Sequence, residues 1–202
     1  MANQSQFKQI EDAELIRAAL TGGAESRDEL IRRYRGATFL IAQQIIGSRE
    51  AAEDASQEAL ILAMQQLGQL KDPEKFAPWL YAVTRRISYR TLSKERRTRS
   101  EEDGKLELLL SIHQPEKACC PYRELLAAES EREIGMALND LPLPTQLVMK
   151  LYYYEQWDVV QICEFLSLTR TTVKWRLHSG RQKMAKRLND ILKEEEKRYG
   201  QE

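Results

Sequence analysis

Leu166-Ser-Leu-Thr-Arg-Thr-Thr-Val-Lys-Trp-Arg-Leu-His-Ser-Gly-Arg181 and the apolar run 159–166 before it decide the fold of this 202-residue chain. Together they contain two short helical patterns separated by a tight turn, and the second is rich in arginine, lysine and threonine. This arrangement is typical of a helix-turn-helix, whose second helix enters a DNA major groove. An ordinary amphipathic helix with a solvated basic side is the competing interpretation.

Helical spacing divides the second pattern into two faces. Small or apolar side chains recur at three- and four-residue intervals and share an inward face: Val173, Leu177, Gly180 and Met184. The opposite face is largely polar and basic, and it carries Arg170, Thr171, Lys174, Trp175 and His178. We therefore interpret this segment as a recognition helix with an outward contact face.

Charge is distributed unevenly although the totals cancel. The chain has 31 basic and 31 acidic residues, so no net field attracts it to nucleic acid. Between residues 85 and 99, however, basic residues are dense and Glu95 is the only acid, while acids follow at 101–103. The sequence thus places a basic block beside an acidic one.

Hydrophobic periodicity predicts an all-α chain with two small helical domains, at 10–97 and 122–192, joined by a linker at 98–121. We find no internal repeat and no strand-like alternation of useful length. The linker contains a leucine-rich patch at 106–112, which we expect to dock on a protein surface because a solvated linker has little use for consecutive leucines.

Glycine and serine mark the ends of the predicted helices. A first helix over 12–20 is expected to stop at Gly22-Gly23. Ser26 and Glu29 form a capping-box pattern that predicts the start of a second helix, and Ser48 is predicted to cap a third. The buried side of the first helix is predicted to comprise Leu15, Ile16, Ala19 and Leu20.

Neither an enzyme nor a metal or cofactor site is predicted. The sequence lacks a glycine-rich phosphate loop and the common zinc motifs, and His113 with Cys119 and Cys120 is the nearest approach to a ligand cluster. We expect the three cysteines to remain thiols. No apolar run reaches the roughly 18 residues of a membrane span, and the N-terminus lacks a signal-peptide core, so we expect no membrane insertion and a cytoplasmic protein.

Three stretches, taken in order, are typical of one protein family. Residues 52–60, Ala-Glu-Asp-Ala-Ser-Gln-Glu-Ala-Leu, and 76–85, Phe-Ala-Pro-Trp-Leu-Tyr-Ala-Val-Thr-Arg, resemble the second conserved region of extracytoplasmic-function (ECF) sigma factors, the smallest class of the bacterial sigma-70 family. Residues 141–181 resemble their fourth region. The resemblance implies a protein that binds core RNA polymerase and directs promoter-specific initiation, with an anti-sigma factor as a further partner in many members.

The resemblance also assigns roles to residues. Four residues that share a helix stripe match those facing the clamp helices of the largest polymerase subunit: Asp54, Gln57, Glu58 and Ile61. Residues expected at duplex and melted minus-ten DNA are Lys71, Arg85, Arg86, Tyr89, Arg90, Arg96 and Arg97. Residues expected at the minus-thirty-five element are Arg170, Thr171, Thr172, Lys174, Trp175, Arg176, His178 and Arg181. If the family resemblance is left aside, the stripe on the third helix is better interpreted as the solvated side of an amphipathic helix.

Several residues depart from the family pattern. Arg86 and Arg90 stand where the family usually has Asn and Asp, and they either strengthen DNA contacts or mark a different surface. Ser167 replaces the usual turn glycine and must accept the same backbone conformation, at a cost of order 1 kcal/mol. Trp175 replaces a small serine, and it is expected either to meet a thymine methyl group or to be covered by the linker or a regulator.

Two other functions compete with the sigma-factor interpretation. One is a stand-alone helix-turn-helix regulator that never joins polymerase, and the other is a sigma-like module that binds proteins and inhibits. A free regulator has no need of the stripe on the third helix, and it normally dimerises, for which the sequence shows no heptad seam.

Overall fold

The computed structural model describes residues 11–102 and 133–199. Within these ranges the chain is helical and contains no strand, which confirms the all-α prediction. The first range holds α1 (Asp12–Leu20), α2 (Ala24–Ile46), α3 (Arg49–Gln65), short 3-10 turns at Leu67–Gln69 and Pro73–Lys75, and α4 (Phe76–Glu102). The second holds α5 (133–139), α6 (Leu143–Tyr153), α7 (Val159–Leu166) and α8 (Arg170–Tyr199).

The chain divides into two compact units. Of the described residues, the first comprises 11–102 with 160–168, and the second comprises 133–159 with 169–199. The predicted domain limits at 97 and 122 stay predictions. Most of the predicted linker, with its leucine-rich patch, His113, Cys119 and Cys120, lies outside the described residues.

Three helices, α2, α3 and α4, build much of the core of the first unit. Three alanines of α3 let the neighbouring helices approach closely. Ala52, Ala55 and Ala59 pack in one cluster with Ala42, Ile46, Val83 and Ile87. Trp79 packs on the same cluster from its edge. Each fully buried branched side chain contributes roughly 1.5–3 kcal/mol by leaving water.

Two predicted helix boundaries follow directly from local chemistry. Gly22 adopts a φ of 98°, a left-handed conformation that glycine takes without steric cost, and α1 ends there. Ser48 caps α3, because its hydroxyl accepts a hydrogen bond from the Ala51 amide at 3.4 Å. Leu15, Ile16 and Ala19 are buried as predicted, whereas Leu20 is 47% exposed, so its assignment to the buried side was wrong.

The capping box at Ser26 and Glu29 is wrong. Helix α2 begins earlier, at Ala24 with Gly23 as its cap, so Ser26 and Glu29 lie inside the helix and not at its start. The Gly23 amide is bonded to the Ala18 carbonyl at 3.0 Å, at the end of α1. The Glu29 carboxylate instead binds Arg32 at 2.7 Å and Arg33 at 2.9 Å. The hydrogen bond from Arg32 holds the pKa of Glu29 below its ordinary value.

A polar contact ties α1 to α2. Arg33 binds the Asp12 carboxylate at 2.7 Å, and the Tyr34 hydroxyl donates to the same carboxylate. Burial, together with the negative charge of Asp12, raises the pKa of Tyr34 far above its ordinary value, so the hydroxyl remains a donor. In the same unit the buried Phe165 ring of α7 lies 5.8 Å from the Tyr34 ring.

Helices α6 and α8 cross closely in the second unit. A Cβ atom placed on Gly180 would lie 2.8 Å from the Met149 sulfur and 3.2 Å from Thr145 Cγ2, so only glycine fits this crossing without displacement of its neighbours. The buried Gln146 amide donates to the Asn139 and Leu141 carbonyls, each at 2.9 Å, and thereby fixes the turn before α6. The close contact at Gly180 fixes which side of α8 faces α6.

Candidate nucleic-acid interface

Helix α3 presents a polar stripe with one apolar side chain to solvent. Its inward alanines are at most 2% exposed, whereas Ile61, on the opposite side, is 58% exposed. The stripe predicted for polymerase is exposed throughout and comprises Asp54, Gln57, Glu58 and Ile61. An exposed isoleucine among polar groups is suited to a protein contact with an apolar centre and a polar rim.

Helix α4 carries an exposed basic face. The Arg85 guanidinium lies 5.5 Å from the centre of the Tyr81 ring and 5.6 Å from that of Tyr89, so it is held between two aromatic side chains. A hydrogen bond to Tyr89 raises the pKa of Arg85. The residues predicted for minus-ten DNA on this helix are all exposed: Arg85, Arg86, Tyr89, Arg90, Arg96 and Arg97.

Two features near this face were not predicted. Arg90 forms an ion pair with Glu58 of α3, and the pair joins a residue predicted for DNA to one predicted for polymerase. Arg86 lines a shallow pocket of about 240 Å³ with Trp79, Ala82 and Val83. Lys71 is exposed and lies between the two 3-10 turns.

Helix α8, the predicted recognition helix, starts at a well-formed cap. The Thr169 hydroxyl accepts a hydrogen bond from the Thr172 amide at 3.2 Å and contacts the Thr172 hydroxyl at 2.8 Å. Thr172 is therefore half-buried at the cap and does not stand on the outward face. Ser167 takes a φ of 54°, which is the left-handed turn conformation that the sequence predicts.

The two predicted faces of α8 are present. Val173 and Leu177 are 0% and 4% exposed, and Gly180 is buried against α6. Arg176 is half-buried, whereas the outward residues are all exposed: Arg170, Thr171, Lys174, Trp175 and His178. Trp175 is 63% exposed, an unusual state for the largest apolar side chain.

Arg181 is held by two tyrosines of α6. Its Nε donates to the Tyr153 hydroxyl at 2.7 Å, and its guanidinium lies 5.6 Å and 5.8 Å from the ring centres of Tyr152 and Tyr153. The hydrogen bond raises the pKa of Arg181. The sequence did not predict this contact, because the partners lie on different helices.

Residues 11–102 and 133–199 contain neither a cluster of metal-binding side chains nor a helix of membrane-spanning character. No group of three or more histidine, cysteine, aspartate or glutamate side chains there has a geometry that holds a metal ion. In the same ranges, every helix is too short or too polar to cross a bilayer.

Comparison with known families supports one assignment. The family models for Sigma-70 region 2 and Sigma-70 region 4 match residues 30–98 and 131–184, which together make up more than half of the chain. The first match contains α3 and most of α4, and the second contains α6, α7 and the first half of α8. The chain therefore belongs to the sigma-70 family, in its ECF class.

Individual relatives agree with this assignment. The chain is 24% identical over 179 residues to the ECF RNA polymerase sigma factor SigW of Bacillus subtilis, which covers 87% of this chain and 96% of SigW. It is 23% identical over 189 residues to the RNA polymerase sigma-H factor of Pseudomonas aeruginosa, covering 92% and 98%. Against RfaY of Xanthomonas campestris it is 29% identical over 164 residues, and there it spans only 40% of the relative's length.

Solved structures share the fold. CnrH in complex with the cytosolic domain of CnrY matches with a TM-score of 0.54 and 19% identity over 89% of this chain and 97% of that one. The sigma factor RpoE in complex with the anti-sigma factor NepR from Bartonella quintana gives a TM-score of 0.54 and 17% identity over 80% and 96%.

Proposed function

We propose that this chain is a dissociable subunit that binds core RNA polymerase in the cytoplasm and directs it to specific promoters, without catalysing a reaction itself. The observation that carries the proposal is the pairing of surfaces in the first unit. An exposed polar stripe that ends in one apolar side chain on α3 lies beside an exposed basic face on α4. A free DNA-binding regulator needs the second surface but not the first.

The polymerase contact is assigned to the α3 stripe. Ile61, at the C-terminal end of the stripe, supplies its exposed apolar side chain, and truncation of a large apolar side chain that is buried in an interface costs more than truncation of a polar side chain at its rim. The carboxylates of Asp54 and Glu58 suit a basic helix as partner, as the clamp helices of the family are. Gln57 completes the stripe with an uncharged hydrogen-bonding group.

The two DNA contacts are assigned to different units. The α4 face with Lys71 would bind the minus-ten element, since its arginines neutralise phosphates and Tyr89 offers an exposed ring to an unstacked base. The α8 face would enter the major groove of the minus-thirty-five element. An anti-sigma factor is a further proposed partner, by analogy with the complex of RpoE and NepR.

The decisive experiment is run-off transcription by core polymerase and this chain on a promoter from its own operon. We expect holoenzyme formation and a specific transcript, and Ile61→Ala should weaken core binding about tenfold by titration of labelled protein. Leu20→Ala removes a similarly exposed aliphatic side chain outside the stripe and serves as the control. Absence of a holoenzyme would reject the proposal, and a holoenzyme without transcription would favour an inhibitory module.

A further inference from the structure

The ion pair between Arg90 and Glu58 links two helices and two proposed sites. Arg90 Nη2 contacts Glu58 Oε1, and the side chains are 66% and 48% exposed. The pair lies on the surface, so water and other ions reach both groups. Arg90 is therefore accessible to a ligand, although a carboxylate already occupies one of its donors.

The surroundings of Arg90 are suited to the phosphate backbone of a DNA strand. Along α4 the exposed residues Arg86, Arg90, Lys94 and Arg97 follow at three- and four-residue intervals and form one basic stripe. Within this stripe Glu58 reaches across from α3 to Arg90. A guanidinium binds a carboxylate and a phosphate through the same fork of N–H donors, so the two groups are alternative partners.

We propose that Glu58 acts as an internal substitute for a DNA phosphate at Arg90, and that polymerase, by engaging Glu58, releases Arg90 to promoter DNA. The inference rests on the proposed function, because it requires Glu58 to lie in the polymerase contact. Polymerase and DNA then favour each other's binding, because polymerase that engages Glu58 frees Arg90 for DNA, and DNA that engages Arg90 frees Glu58 for polymerase.

The size of the effect follows from the exposure of the pair. Surface ion pairs are weak, so exchange of Glu58 for a phosphate is easy and the coupling amounts to about two- to fivefold in affinity. The effect should fall with added salt, because both the pair and the phosphate contact are screened.

The first test measures DNA affinity in the absence of polymerase. Wild-type chain and variants are titrated against a fluorescent single-stranded oligonucleotide of mixed sequence. Glu58→Gln should raise affinity about two- to fivefold. Glu53→Gln is the matched control, because Glu53 lies on the same helix and forms a 2.8 Å exposed pair with Arg49 outside the stripe. Glu53→Gln removes one negative charge, as Glu58→Gln does, so any gain in DNA affinity from the change in net charge alone appears in both variants.

A double substitution completes this test. In an Arg90→Gln background, Glu58→Gln should raise the affinity for the oligonucleotide no more than Glu53→Gln does. The reason is that the guanidinium of Arg90, which Glu58 would otherwise occupy, is absent. Equal gains for Glu58→Gln and Glu53→Gln in the wild-type background would overturn the inference. Circular dichroism should show unchanged helix content in each variant, since all three side chains are at the surface.

The second test adds saturating core polymerase. If polymerase releases Arg90, the advantage of Glu58→Gln over wild type in DNA affinity should disappear in the holoenzyme, and an advantage that persists would contradict release. Failure of the wild-type chain to bind polymerase would refute the proposed function instead, while the polymerase-free titration would still decide whether Glu58 and phosphate compete.

Discussion

Two arginine–tyrosine clusters, one on α4 and one between α6 and α8, show two ways of fixing a cation on a surface that we propose faces DNA. On α4, Arg85 lies between Tyr81 and Tyr89, four residues before and after it on the same helix. In the second unit, Arg181 lies against two tyrosines of a different helix. The first cluster needs only a helix, whereas the second exists only if α6 and α8 pack correctly. The arginine on α8 is therefore tied to tertiary structure.

The two basic helices also differ in how their charge is opposed. Glu58 pairs with Arg90 on α4, whereas residues 170–187 of α8 include seven arginines and lysines and no acid. Just past its midpoint α8 meets Asp140, which binds Arg187 at 3.2 Å. Within residues 170–187, α8 itself therefore supplies no carboxylate that would compete with a polyanion.

Gly180→Val should give the largest effect, because it disturbs the crossing on which the α8 cluster depends. Its added carbons collide with Met149 and Thr145, and overpacking of this kind destabilises by about 1–3 kcal/mol. Thermal unfolding of the full chain and binding to a minus-thirty-five duplex should both be impaired. Gly135→Val is the control, since a Cβ there meets nothing within 4 Å. Equal behaviour of the two variants would refute a close-packed crossing.

Trp175→Ala tests the open face of α8 without touching the packing. We expect about a tenfold loss of affinity for promoter duplex and an unchanged melting temperature, since the indole is 63% exposed. Tyr154→Ala is a control of equal exposure in the same unit. Replacing thymines by uracil, which lacks the methyl group, should weaken wild type at one or two positions and leave Trp175→Ala unaffected. If the variant binds normally, the tryptophan serves another partner.

Tyr153→Phe should give the smallest effect. It keeps the ring over Arg181 but removes the hydroxyl that accepts from Nε, so we expect about a two- to threefold loss of duplex affinity. Arg181→Gln should go further and lower the slope of log affinity against log salt by about 0.9, the value for one phosphate contact. Tyr154→Phe is the control. An unchanged salt slope for Arg181→Gln would show that Arg181 only joins α6 to α8.

Features that depend only on residues close together in the sequence were predictable from it. The inward positions Val173 and Leu177, the cap at Ser48 and the left-handed Ser167 follow from helical period and backbone chemistry. The capping box at Ser26 and Glu29 was wrong because α2 begins two residues earlier, at Ala24, so Glu29 lies inside the helix and pairs with Arg32 and Arg33 on the next turn. The pairing of Glu58 with Arg90 joins helices whose relative position only the fold determines.

The close crossing at Gly180 also determines the direction, around the helix axis, in which each exposed side chain of α8 points. An α-helix turns by about 100° per residue, so the interval between Gly180 and Trp175 determines the direction in which the indole faces. A chimaera that carries this contact face on another ECF scaffold must therefore preserve that interval and the glycine together. One inserted residue between them would swing the indole by about a quarter turn and present a different set of side chains to the groove.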